Sequence, residues 1–176
     1  MRNRHGSPFE HNLFTFVVEC PIFVAREWFR HRWSSFNEVS GRYSVLPDKS
    51  WTPALDAVRH QVGKPGAYEF DTADAALADA ATSIIAKAHS DSRMAYRSLL
   101  DLGIAKEVAR AVLPLGQSTR FFWSVNARSL MNFLSLRNEP SAQREIRSFA
   151  EAIEGMASEC MPHTFAAFVA AGRLAP

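Results

Sequence analysis

Cysteine is nearly missing from this chain: Cys20 and Cys160 are the only two in 176 residues. Two are too few for a disulfide framework or a thiolate metal cluster, and a reducing cytoplasm is the expected home. Cys20 stands just before a helix start, where a thiolate is favoured. Packing as a small hydrophobe at a buried strand end is the simpler reading. Lysine is scarce too, since Lys49, Lys64, Lys87 and Lys106 are the only ones. The cations are therefore nearly all arginine, which suits planar, bidentate anion recognition better than diffuse attraction. A net charge of +2 gives no support to a general polyanion binder, and Glu27, Glu38 and Glu107 interrupt any basic face that nucleic acid would need. No run approaches the ~20 apolar residues of a membrane span. The polar start, Met1 to Asn12, has no apolar signal-peptide core. There is no internal repeat and no low-complexity tract. His5, Glu10 and His11 lack a further His or Cys at ligand spacing, so no metal site is expected.

What is present is an ordinary globular composition, 47% apolar and 22% charged, in a chain long enough for one domain with a real core. Residues 1–176 are read as that single domain. The densest chemistry is Pro21 to Tyr43, PIFVAREWFRHRWSSFNEVSGRY. Pro21 suits a first helical position. At about 100° per residue, Ile22, Val24, Ala25, Trp28 and Phe29 fill one arc, while Arg26, Glu27, Arg30 and His31 share the other with Phe23. Arg32 projects among the apolar residues, so either the helix ends near it or an anion meets it there. Ser34 to Tyr43 is a polar run. Fixed donors plus a carboxylate at an element end suit a phosphorylated ligand; the alternative is a solvated basic helix end with a polar loop.

Around this segment, Asn12 to Cys20 reads as a strand buried on both faces. Ser44 to Asp71, with Pro47, Pro53, Gly63, Pro65 and Gly66, reads as an irregular connection with one helical turn near Ala54 to Gln61. Thr72 to Leu102 is a helix with a break point at Ser90-Asp91-Ser92 and a stop at Gly103. Ile104 to Leu113 is another helix, with Ile104, Ala105, Val108, Ala109 and Val112 on one side, ended by Pro114. Gln117 to Val125 alternates as a strand. Asn126 caps the helix after it, on which Arg128, Asn132 and Ser135 form a polar stripe, and Arg137 ends that helix where a cation is favoured. Ser141 to Leu174 makes two helices split at Met161-Pro162, with Ile146, Phe149, Ala150 and Ile153 inward on the first and Phe165, Phe168 and Val169 on the second.

The ordered string Arg30-His31-Arg32, seven residues, then Ser40, enclosing Asn37 and Glu38 and followed by Arg42 and Tyr43, resembles the signature of the flavin-dependent thymidylate synthases. His5-x-Ser7-Pro8-Phe9-Glu10-His11, Ala109-Arg110-x-x-Leu113-Pro114, Asn126-x-Arg128, Asn132, Arg137 and Thr164-Phe165-x-x-Phe168 follow the same family's order, so the resemblance runs from His5 to Phe168. It implies an α/β (α+β) fold with helices packed on a small, mostly antiparallel sheet. Members usually carry a further strand and helix ahead of the His5 segment, whereas Met1 here falls inside that junction; those elements are expected to be missing.

The resemblance implies a methyltransferase that makes dTMP from dUMP, with methylenetetrahydrofolate as methylene donor and NADPH reducing FAD. It implies FAD contacts at Ser7, Arg30, His31, Arg32, Glu38, Asn126, Ala127, Arg128 and Asn132, with His5 beside the face where flavin and folate stack. It implies nucleotide contacts at Glu27, Trp28, Phe29, Arg30, Glu38, Val39, Ser40, Gly41, Arg42, Arg110 and Arg137. It implies that Arg137 is the catalytic group, stabilising negative charge on the uracil ring. No protein nucleophile is implied, so Ser40 is a binder. The family's assembly implies a homotetramer, without nucleic-acid or membrane partners. A catalytically silent flavin- or nucleotide-binding oligomer of the same family is the alternative, and NADPH bleaching that depends on dUMP separates the two.

Overall fold

The computed structural model describes residues 3–64 and 67–176; Met1, Arg2 and the turn signals Pro65 and Gly66 lie outside the described residues. The chain divides into two compact units, one of Met1–Glu19, Phe23–Glu38 and Arg120–Pro176, the other of Cys20–Ile22 and Val39–Thr119.

The first unit is built on a sheet ordered β1-β5-β2, comprising β1 (Phe14–Pro21), β2 (Ser35–Glu38) and β5 (Ser118–Val125). β2 runs antiparallel to β5, with Ser35 opposite Ser124 and Glu38 opposite Phe121. The expected alternation in β5 holds: Phe121, Trp123 and Val125 are buried while Arg120 and Phe122 face out. β1 departs from expectation. Alternate residues of its first half reach solvent, Val17 being 62% exposed, so it is covered on one face and not on both. The following helix α1 (Ile22–Trp28) is shorter than its apolar arc suggests, and Pro21 closes the strand instead of opening the helix. The chain leaves helical geometry at Phe29, which carries Arg32 to the surface and avoids burying its guanidinium.

Trp28 is the centre of this unit's core. Its indole stacks on Phe133 at 4.9 Å and meets Trp123 at 5.2 Å and Phe121 at 5.6 Å, both edge-on. Such paired rings add about 0.5–1.5 kcal/mol each beyond their buried area. α4 (Ala127–Arg137) supplies Leu130, Met131, Phe133 and Leu134 to the same core and packs on α5 (Arg144–Cys160), which packs in turn on α6 (Pro162–Ala170). Ile146, Ala150, Ile153, Phe165 and Phe168 are buried as expected, but Val169 is exposed.

The second unit holds two features that local sequence concealed. The stretch read as irregular contains, besides a short 3-10 turn at Leu55–Ala57, an antiparallel hairpin of β3 (Arg59–Lys64) and β4 (Ala67–Thr72). α2 (Ala75–Asp101) then runs unbroken through Ser90-Asp91-Ser92, with Asp91 accepting from Lys87 one turn earlier at 2.5 Å. Asp74 caps it by accepting from the Leu77 N–H at 2.9 Å, and Gly103 follows its end at φ +78, a left-handed conformation that glycine adopts without penalty. The helix expected from Ile104 is a single turn, α3 (Lys106–Ala109), continued by a 3-10 turn at Arg110–Val112. Of the five residues placed on its apolar side, Ala109 is buried, while Ile104, Ala105, Val108 and Val112 are exposed.

Buried Arg93 ties this unit together. It donates to the Pro47 carbonyl at 2.6 Å and to Gln117, and pairs with Asp48 at 3.1 Å. It thereby fixes the segment just beyond Tyr43. Cys20 is buried, as expected of a packed strand-end thiol, and Cys160 is exposed.

Candidate functional site

Of the expected flavin residues, Asn126, Arg128 and Asn132 line one cavity beside α4, and His31 lines the pocket next to it. Asn126 caps the helix, its side chain accepting from the Ser129 N–H at 2.9 Å. Ala127 is fully buried, and its N–H donates to Asn12 Oδ1 at 2.7 Å, so this residue fixes the helix start and presents no side chain to a ligand. Arg128 pairs with Glu10. A Cβ built on Gly6 would lie 2.4 Å from Arg128 Nε, so the guanidinium lies across this backbone and a side chain here would displace it. Ser7 begins the short 3-10 turn Ser7–Phe9 that packs on α4, and His5 is exposed.

A cavity of about 300 Å³ is lined by Glu10, Trp33, Asn126, Arg128, Ser129 and Asn132. A smaller pocket shares Trp33, Ser129 and Asn132 with it and adds His31, Ser34, Trp123 and Val125. The Trp123 indole N–H has no hydrogen-bond partner among the described residues. These features fit a flavin: fixed arginine and amide donors, an aromatic wall and a buried donor awaiting an acceptor. Trp33, 88% exposed, is the clearest residue that sequence reasoning missed. An apolar ring stranded in the polar run directly after Arg30-His31-Arg32 was the available signal. Glu10, although inside the His5–His11 motif, was given no ligand role, and Ser129 is revealed only by its place in the lining. Arg30 and Arg32 are exposed, and Arg32 donates its backbone N–H to the Arg30 carbonyl at 3.1 Å.

At the other end of α4, Arg137 reaches back to α1. Its Nε donates to His31 Nε2 at 2.9 Å and its Nη1 donates to Glu27. Both side chains of the Arg137–Glu27 pair are 22% exposed, so water screens the pair less than it would a rim contact. Burial, and then the positive charge of Arg137, hold the His31 imidazole down to about 4 from 6.5. His31 is accordingly neutral at neutral pH, with Nε2 as acceptor and the proton on Nδ1. The last turn of α4 is anchored from behind. Asn138 donates to Glu154, Arg173 Nε donates to the same carboxylate at 3.1 Å, and Ser135 Oγ donates to the Arg173 carbonyl at 2.6 Å. Ser135, placed on the polar stripe with Arg128 and Asn132, serves this anchor.

Among the other expected nucleotide contacts of this unit, Phe29 packs on Phe36 at 4.8 Å and Phe121 at 5.0 Å. Trp28 has no exposed surface, which leaves only its backbone for a ligand. Glu38 ends β2 opposite Phe121.

In the second unit, Ser40 to Ser44 makes a tight turn. Ser40 Oγ accepts from the Arg42 N–H at 3.3 Å, and the Ser40 carbonyl accepts from the Tyr43 and Ser44 amides. Gly41 lies under Arg110: an added Cβ would stand 3.2 Å from Arg110 Cδ and 3.1 Å from Leu46 Cδ1. Arg42 pairs with Glu107 at 2.9 Å, Arg110 Nε donates weakly to the Glu107 carbonyl at 3.4 Å, and Lys106 donates to the Tyr43 carbonyl at 3.1 Å. Ser40, Gly41, Arg42 and Arg110 thus stand together, with Lys106 beside them. Val39 is partly exposed beside them in sequence. Among the described residues no group of three or more His, Cys, Asp or Glu is arranged to hold a metal, and no helix is long and apolar enough to cross a membrane.

Residues 1–163 match the family model described as thymidylate synthase complementing protein. A flavin-dependent thymidylate synthase of Thermosipho melanesiensis is 46% identical over 169 residues, 96% of this chain and 73% of that protein. The flavin-dependent thymidylate synthase of Streptomyces avermitilis is 44% identical over 185 residues, covering all of this chain and 75% of its own. Among solved structures, the UMP/dUMP methylase PolB of Streptomyces cacaoi bound with 5-Br UMP is similar at a TM-score of 0.96 and 42% identity, over all of this chain and 82% of that one.

Proposed function

This chain belongs to the flavin-dependent thymidylate synthase family, and we propose that it converts dUMP to dTMP with FAD bound in the cavity along α4. Methylenetetrahydrofolate gives the methylene group, and NADPH gives the electrons. Bound flavin supplies the hydride chemistry; the chain's own residues bind, orient and shield.

The observation that carries the reading is the continuous lining of the two adjoining pockets. Asn126, Arg128, Asn132 and His31, four residues singled out for FAD by motif alone, come together there around Trp33. Arg30, Arg32, Ser7 and the Ala127 backbone complete the assignment to FAD, with His5 at the stacking face. Arg137 is assigned to the pyrimidine, where a fixed guanidinium stabilises negative charge that develops on the ring. Ser40, Arg42 and Arg110 are assigned to the phosphate. The Arg42–Glu107 pair is exposed and worth about 0–1 kcal/mol, so a phosphate dianion exchanges for Glu107 at little cost. Glu38, Val39, Phe29 and the Trp28 backbone are assigned to the nucleoside.

The cavity is at the small end of the roughly 300–1,000 Å³ usual for ligand sites, enough for a ring system but not for a whole dinucleotide. The homotetramer that the family resemblance implies would let other copies complete the cofactor site. The exposed Leu77, Ile84 and Met94 on α2 support self-association too.

Supplying the purified protein with FAD, dUMP, methylenetetrahydrofolate and NADPH tests the proposal. dTMP accumulates if it holds; NADPH oxidation with no dTMP removes it. The likeness to a UMP/dUMP methylase favours a wider substrate range, so UMP belongs in a parallel assay.

A further inference from the structure

We propose that Glu154 is a positioning residue for the reaction proposed above: with Arg173 it holds the last turn of α4, the turn that carries Arg137. The inference rests on the reading that Arg137 meets the pyrimidine.

Glu154 lies in α5 and is buried, with 8% of its surface exposed. A carboxylate taken out of water is tolerated only where donors meet it. Here Asn138, the residue after Arg137, donates Nδ2 to Oε2, and Arg173 Nε donates between both oxygens at 3.2 and 3.1 Å. Arg173 closes on α4 as well, its carbonyl accepting from Ser135 Oγ at 2.6 Å. Ser135 and Asn138, which flank Arg137, are thereby tied to one carboxylate from α5 and to the turn that follows α6. That turn is bent against preference. Gly172 has φ +70 and Arg173 φ +56, and a left-handed backbone is unfavourable for a residue with a Cβ. Such conformations persist where their surroundings over-determine them, and they cluster at functional sites. Ending α4 needs no buried carboxylate, because the Asn138 N–H already closes the helix on the Leu134 carbonyl at 2.9 Å. What Glu154 adds is a fixed course for the backbone that carries Arg137. Placement matters at this point, since a shift of about 1 Å in a reacting group costs up to about 10²-fold in rate.

The test is steady-state dTMP formation by the flavin-loaded protein with dUMP varied. Glu154→Ala should lower kcat and kcat/KM together by roughly tenfold, the mark of an interaction lost in the transition state, with flavin content kept. Glu154→Gln keeps an acceptor for Asn138 and should recover most of the loss. In an Arg137→Ala background, Glu154→Ala should lower the residual kcat by less than about twofold, because residues acting as one unit do not add. An equal loss in both backgrounds means that Glu154 supports the unit as a whole and overturns the proposal. An unchanged kcat, or a change confined to KM, overturns it too. Should Glu154→Ala not fold, Arg173→Gly decides, because glycine suits the left-handed turn and only the guanidinium is lost. There kcat should again fall with flavin retained, and wild-type kcat contradicts the clasp. A wild-type protein that makes no dTMP sinks the proposed function itself; an active wild type with additive losses sinks only the positioning role.

Discussion

His31 shows how one side chain carries information that no motif contains. Its place between two arginines in sequence suggests another cation on a basic edge. In the fold it is half-buried, its ring meets Phe133 edge-on at 4.9 Å, and Arg137 donates to it. Its pKa is depressed in the folded state to about 4, so between that value and 6.5 the unfolded chain binds more protons than the folded one. Stability therefore rises with pH across this window. It is fully present above 6.5, falls as pH drops toward 4 and changes no further below. His89, lowered by burial, acts in the same direction. Thermal melts from pH 4 to 7 should show Tm falling on acidification, with His31→Gln flattening the slope by its share; an unchanged slope contradicts a neutral His31. At the same scale, Arg137→Ala should lower kcat by roughly 10²–10³-fold, as loss of a charge-stabilising donor does, while FAD stays bound. Loss of flavin in that variant would mean Arg137 serves the cofactor.

Elements were legible where the pattern was periodic and their burial one-sided. β5 and α4 follow their alternation and heptad-like spacing closely, and the Asn126 cap was readable from a single residue. What failed did so for physical reasons. β2, Ser-Phe-Asn-Glu, has only Phe36 to favour a strand; it pairs along the edge of β5, and edge strands accept polar residues on their open side. The β3–β4 hairpin leaves Tyr68 and Phe70 exposed, so neither strand shows an inward apolar face to read. α1 was overextended because Phe29 is apolar in the right phase, yet its ring packs after the helix has ended.

Two element-scale predictions follow from close contacts. Gly6→Ala should push the Arg128 guanidinium off the backbone and weaken FAD binding, measured by flavin retention after gel filtration; full retention contradicts the tight approach. Asp74→Ala should cost about 1 kcal/mol of stability through the lost α2 cap, measured by urea unfolding, and no change would mean that the cap is redundant.

For the molecule as a whole, family and fold class were within reach of the sequence because the Arg-His-Arg string and its flanking motifs span nearly the full chain. The hydrogen-bond partners of those residues were not, because Glu10 and Arg128, or Glu27 and Arg137, lie more than a hundred positions apart and meet only through packing. Sedimentation should report four chains per particle; a monomer that binds FAD fully contradicts the need for other copies.

The central claim is that the residues along α4 hold a flavin at one end while Arg137 addresses uracil at the other. A crystal structure of the protein with FAD and dUMP tests it most directly. The account predicts isoalloxazine density against Arg128, Asn132 and Trp33, with Arg137 within hydrogen-bond distance of the uracil ring. Flavin bound away from α4, or a pyrimidine with no guanidinium near it, would contradict the account.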